Sequence, residues 1–92
     1  MKERKKVVVT GASSGIGKAT AIRFAKENYD VCLVARREKV LQEVLGQLES
    51  GQHLLCAGSY DAPETVERLE QTIKQEWGKV DVLVNNAGVF MT

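Results

Sequence analysis

The chain of 92 residues carries 13 Lys and Arg against 12 Asp and Glu, for a formal net charge of +1, and 43% of it is apolar. That composition is too apolar for a disordered segment, and the near-neutral balance gives no electrostatic footing for nucleic acid or an anionic membrane. The basic start "MKERKK" precedes only Val7–Val9 as an apolar run, which is short for a signal peptide, and no stretch approaches a membrane span.

The elements follow in chain order. Lys6 to Thr10 is a short β-branched run. Gly15 to Asn28 follows, with Ile16, Ala19, Ile22 and Ala25 at helical spacing. "VCLVA", Val31 to Ala35, is a second apolar run, and Val40, Leu41, Val44, Leu45 and Leu48 make a second helical stripe, broken at Gly51. "HLLCA", His53 to Ala57, is a third run, with His53 as its entry residue. Asp61 is placed to cap a third helix, with Pro63 in its first turn and Glu64 completing a capping box. Val66, Leu69, Ile73 and Trp77 give that helix its apolar face, Gly78 breaks it, and "VDVLV", Val80 to Val84, is the fourth run.

Short runs of consecutive apolar residues suit strands covered on both faces. Alternation with amphipathic helices suits right-handed crossovers and a parallel sheet. The expected order is β-α-β-α-β-α-β. A chain this long makes one domain at most and buries only ~60–65% of its unfolded surface. Cys32 and Cys56 lie inside apolar runs without a CxxC, and His53 belongs to no ligand-spaced cluster. No metal site is expected, and the cysteines read as reduced core thiols of a cytoplasmic protein.

Gly11, Gly15 and Gly17 form a strand-turn-helix corner. The first amides of a helix lack intrahelical partners and carry the positive end of its dipole. Glycine allows a sharp turn and close approach of an anion, so the corner suits a phosphate or pyrophosphate, with Ser13 and Ser14 as added donors. A P-loop is excluded twice: Ala12 stands where its first glycine belongs, and Ala19 replaces the magnesium-binding hydroxyl. The spacing G-x-x-x-G-x-G also differs from G-x-G-x-x-G.

"TGASSGIG", Thr10 to Gly17, resembles the cofactor turn of the short-chain dehydrogenase/reductases, and "DVLVNNAG", Asp81 to Gly88, resembles that family's second signature at the end of its fourth strand. The resemblance runs over essentially the whole chain. It implies a Rossmann-type α/β fold, with residues 1–92 as a partial dinucleotide-binding domain, the N-terminal half of a doubly wound sheet. It also implies that Gly11, Ser13, Ser14, Gly15, Ile16 and Gly17 hold the cofactor pyrophosphate and adjacent ribose, and that Asn86, Ala87 and Gly88 pass beside the ribose. Asn85 is expected to brace backbone and Asp81 to be structural. In the family an acid after the second strand binds the adenosine ribose; this chain has Arg36 and Arg37 there. A guanidinium fork suits a 2′-phosphate, so the resemblance points to NADP(H). The adenine-contacting pair falls on Ser59 and Tyr60 by ungapped count, although an insertion would restore Asp61.

The family's chemistry is hydride transfer between nicotinamide and a carbonyl or alcohol carbon, assisted by a serine and a Y-x-x-x-K pair. Tyr29 is followed four residues on by Leu33 and Tyr60 by Glu64, so no catalytic residue is assigned. The 92 residues alone are expected to bind NADPH weakly and turn over no carbonyl. Epimerase- and lyase-type members share the same turn, and a non-catalytic nucleotide-binding or interaction module is the alternative reading. Substrate is not legible. The outer edge of "VDVLV" lacks a neighbour within the chain, so self-association through it is expected.

Overall fold

β1 (Lys6–Thr10) and β2 (Asp30–Ala35) stand at the centre of a sheet and are buried along nearly their whole lengths. They are flanked by β3 (Leu54–Ala57) and β4 (Val82–Asn85), in the order β3-β2-β1-β4, with every pair parallel. The helices α1 (Gly15–Lys26), α2 (Glu38–Leu45) and α3 (Pro63–Glu76) alternate with them, as expected for this fold class. The computed structural model describes residues 3–13 and 15–86.

The topology follows from two layers. On one face Val7, Val9, Val31 and Leu33 pack with Ala21 and Ala25 of α1 and with Leu41 and Val44 of α2. On the other, Val8, Cys32, Val34 and Cys56 meet Trp77, with Leu69 and Ile73 of α3 beside them. The chain steps outward from β1 to β3 under α1 and α2. It then crosses the opposite face through α3 and lands as β4 on the far side of β1. The direction thus reverses between β1 and β4, and the crevice beyond the strand ends at such a reversal is where open α/β sheets bind ligands.

Several boundaries differ from expectation. α1 buries Gly17, Ala21 and Ala25; of the expected stripe only Ala25 is buried, and Ile16 is 77% exposed. The small residues let this helix sit close to the sheet, and that contact sets its rotation. α2 stops at Leu45 because Gly46 caps it, so Leu48 packs from the following turn. α3 has Ala62, not Asp61, at its N-cap: the Ala62 carbonyl accepts from Thr65 and Val66, no side chain caps the helix, and Pro63 holds the first turn. β4 begins at Val82 and alternates, with Val82 and Val84 packed inward and Leu83 66% exposed. Among the described residues no helix is long and apolar enough to cross a membrane, and no acid, histidine or cysteine cluster is placed to hold a metal.

The N-terminal ends of the strands are tied by charge. Asp30, only 1% exposed, takes the Lys6 ammonium on one oxygen. Its other oxygen accepts from Arg4 Nε and from the Gln52 amide, each at 2.9 Å. Arg4 also donates to the Tyr29 carbonyl at 2.9 Å, Trp77 Nε1 donates to the Gln52 carbonyl at 2.9 Å, and the Lys6 ammonium lies 5.9 Å from the Trp77 ring centre. Asp81 accepts the Lys6 amide at 2.8 Å, a structural role as expected, and His53 Nδ1 accepts the Val31 amide at 3.0 Å where β3 begins. Cys32 and Cys56 are free and buried, and burial, with the neighbouring Cys56 thiol, pushes Cys32 up to about 12.

Burial alone would push the Asp30 carboxyl up, but the hydrogen bonds from Lys6 and Gln52 and the charges of Lys6 and Arg4 outweigh it and hold it below the usual carboxylate range. A depressed carboxylate stabilises the fold above its ordinary titration, and that contribution is lost as pH falls through the folded value. Asp30→Asn leaves the buried Lys6 ammonium without its counter-charge. Urea unfolding at neutral pH should show a loss of about 3–5 kcal/mol. The gap between wild type and variant should close as the pH falls below the ordinary carboxylate range. A loss under about 1 kcal/mol, the scale of an exposed pair, contradicts this account.

Candidate functional site

The glycine corner is built by two different demands on glycine. Gly11 and Gly15 have φ of 64° and 59°, the left-handed region that side chains disfavour. Gly17 is needed for space: a Cβ there would sit 2.7 Å from the Gly11 carbonyl carbon and closer still to its oxygen. The helix therefore starts pressed against the turn that feeds it. Ala12, fully buried, donates its amide to the Val34 carbonyl at 3.2 Å and pins the turn onto β2. The opening turn of α1 is thereby held beyond the C-terminal end of β1. Its leading amides have no intrahelical acceptors, and the dipole's positive end faces the crevice. Ser13 is half-buried in this turn, and Ile16 stands exposed at its rim. Ser14 lies outside the described residues.

Arg36 and Arg37 follow the last residue of β2. Both are exposed, and no ion pair among the described residues engages either guanidinium. Arg37 stands at the N-cap of α2 with no side-chain cap, its carbonyl accepting the Leu41 amide at 3.1 Å. One strand over, the Gly58 amide donates to the Ala35 carbonyl at 2.8 Å, so the ends of β2 and β3 are locked in step. In the turn that follows, the Ser59 hydroxyl donates to the Asp61 carboxylate, which brings the two competing adenine candidates together as one polar pair. Tyr60, 39% exposed, walls a largely apolar cavity of about 220 Å³ with Val34, Val66, Leu69 and Leu83.

The end of β4 is stitched to the end of β1 by Thr10, a residue the sequence reading did not single out. Thr10 Oγ1 donates to Asn85 Oδ1 at 2.8 Å and accepts the Asn86 amide at 3.1 Å. The Asn85 side chain thus meets the Thr10 side chain and not backbone as expected; Thr10 is the group that holds the backbone of the neighbouring strand. A hydroxyl on the last residue of β1 and an amide on the last residue of β4 were the available signal, readable only once the two strands are known to be neighbours. Asn86 Nδ2 is buried with no hydrogen-bond partner among the described residues. Ala87 and Gly88 lie outside the described residues.

The assembled site has a backbone turn packed so closely that Gly17 admits no Cβ, a buried amide donor at Asn86, and two unengaged guanidinium groups at the β2 end. That donor set fits a ligand with several phosphates and a ribose. The cradle suits an anion, the arginines a further phosphate, and Asn86 a hydroxyl.

The family profile described as short chain dehydrogenase matches residues 5–92. Glucose 1-dehydrogenase of Gluconobacter oxydans (strain 621H) is 45% identical over 87 residues, which are 91% of this chain and 33% of that protein. An 11-beta-hydroxysteroid dehydrogenase-like protein of Arabidopsis thaliana is 42% identical over 97% of this chain and 30% of its own length. The crystal structure of L-sorbose reductase from Gluconobacter frateurii, complexed with NADPH and L-sorbose, superposes with a TM-score of 0.88 at 39% identity over 95% of this chain and 34% of that one. The chain spans about a third of the length of the curated relatives it matches. It belongs to the short-chain dehydrogenase/reductase family.

Proposed function

We propose that this chain is the adenosine-diphosphate half of the cofactor site of an NADP(H)-dependent oxidoreductase acting on a carbonyl or alcohol substrate. The observation that carries the reading is the pairing of the Gly11–Gly17 cradle with two exposed, unengaged arginines at the end of β2. A bound NADP(H) would supply the hydride; the residues of this chain bind and orient it. In this reading the amides of Gly15, Ile16 and Gly17, with Gly11 and the hydroxyls of Ser13 and Ser14, hold the pyrophosphate. Arg36, with Arg37 beside it, takes the 2′-phosphate, and Ser59 and Tyr60 meet the adenine. Asn86, Ala87 and Gly88 line the ribose. The NADPH-complexed relative supports the choice of dinucleotide, and the free, buried cysteines support a reducing, cytoplasmic setting.

No catalytic role is assigned within these residues. In this reading residues 1–92 form part of a dinucleotide-binding domain, and the outer edge of β4, unpaired among the described residues and with Leu83 exposed beside it, is where copies of this chain would pair. Sedimentation velocity over rising concentration should show a growing dimer or higher species; a single monomer boundary at every concentration overturns the pairing.

The arginine assignment has a direct test. Arg36→Ala should weaken NADPH by about 1.5–3 kcal/mol, the range for charge-assisted hydrogen bonds, while NADH binding stays within error. Titrations of both nucleotides followed by nicotinamide fluorescence measure this. Equal losses for the two cofactors refute the assignment.

A further inference from the structure

Arg68 lies on α3, where its natural partner is Glu64 one turn before it. It pairs with neither Glu64 nor Glu38, which lines the same polar cleft. Its guanidinium instead reaches back to β3, donating through Nη2 to the Ala57 carbonyl at 3.0 Å and through Nη1 to the Cys56 sulfur at 3.8 Å.

The position of that carbonyl explains the contact. β3 is an edge strand, bonded only to β2 among the described residues. The carbonyl and the amide of one trans peptide point in opposite directions, and the Gly58 amide faces β2, where it meets the Ala35 carbonyl. The Ala57 carbonyl therefore points outward, with no strand to receive it. It is the last such group before the chain leaves β3 for Ser59 and Tyr60. Gly58 has φ of 152°, and a Cβ on it would lie 2.9 Å from Arg68 Nη2 and closer still to the Oγ1 of Thr65, itself only 2% exposed. Two side chains of α3 thus fix the exit of β3: Thr65 fills the space beside Gly58, and Arg68 holds the carbonyl before it. Through the Gly58–Ala35 bond the same clamp reaches the residue that precedes Arg36.

We propose that Arg68 is a positioning residue for the adenosine end of the nucleotide site, acting on the Gly58–Ala62 turn rather than touching the nucleotide; the role rests on the cofactor reading above. Because it acts through the turn shared by both cofactors, its loss does not discriminate between them. This separates it from Arg36, whose loss affects the 2′-phosphorylated cofactor alone.

The experiment compares wild type, Arg68→Met and Arg68→Lys in the full chain. Without nucleotide, hydrogen exchange at the bonded amides that bracket the turn, Gly58 and Ala62, should speed up in Arg68→Met, while the Val7–Val9 amides of the central strand keep their wild-type rates. Arg68→Lys, which retains one donor for the carbonyl, should restore much of the protection. With nucleotide, Arg68→Met should weaken NADPH and NADH alike, by roughly fivefold for one net hydrogen bond. Unchanged exchange in the turn overturns the clamp, whatever the nucleotide does. Loss of protection in the turn with undiminished affinity for both cofactors overturns its role in binding. A wild-type chain that takes up neither cofactor refutes the cofactor reading itself, and the exchange data still decide the clamp.

Discussion

The contact between Gly17 and the Gly11 carbonyl is the constraint from which the rest of the site follows. No atom larger than hydrogen fits between the first turn of α1 and the loop that feeds it. The helix can approach that closely only if its inner face is small, and Gly17, Ala21 and Ala25 supply that face. Close approach then leaves the leading amides of α1 at the mouth of the β1–β4 crevice, where the chain reverses its path across the sheet. An anion there meets backbone hydrogen and a positive dipole end. No charged side chain is required in the cradle itself, and the charge that is present stands one strand away, on Arg36 and Arg37.

A cradle made of backbone is only as well placed as the strands that carry it. Here the two ends of the sheet divide the work. At the N-terminal pole, Asp30 gathers Arg4, Lys6 and the Gln52 amide, and Asp81 takes the Lys6 amide, so the strands begin in fixed register. At the C-terminal pole most of the ties are neutral: Ala12 to Val34, Gly58 to Ala35, and Thr10 to Asn85 and Asn86, with the Arg68 guanidinium on the Ala57 carbonyl as the charged exception. Buried charge gathers at the N-terminal pole, while at the C-terminal pole Arg36 and Arg37 stay unengaged. This division gives a rigid base and a mouth whose polar groups remain available for a ligand.

Much of this was legible in the residues. β1 was read with its observed bounds, because a β-branched run ending at glycine leaves little alternative, and the strand-helix alternation carried the parallel sheet. The glycine corner was readable because "TGASSGIG" ties residue type to backbone geometry at Gly11, Gly15 and Gly17. What escaped has a common cause. The stripe of α1 was read through Ile16, Ala19, Ile22 and Ala25, whereas the contact with Gly11 put Gly17, Ala21 and Ala25 inward and turned Ile16 outward. The cap of α3 was assigned to Asp61 by residue type, yet Ser59 holds that carboxylate and Ala62 starts the helix. Thr10, Asp30 and Arg68 act across gaps of 75, 24 and 11 residues in the chain, and no local pattern announces such partners. Local chemistry was readable where it acts locally; long-range pairing needed the topology first.

The central claim is that the amides of the glycine corner receive the phosphates of a nucleotide. The direct measurement is a ¹⁵N–¹H spectrum of the chain during titration with NADPH. The account predicts that the amides of Ser13, Gly15, Ile16 and Gly17 move first and furthest, with those around Arg36 following. Corner amides that hold their positions at millimolar NADPH, or shifts confined to the outer face of α1 near Phe24, would contradict it.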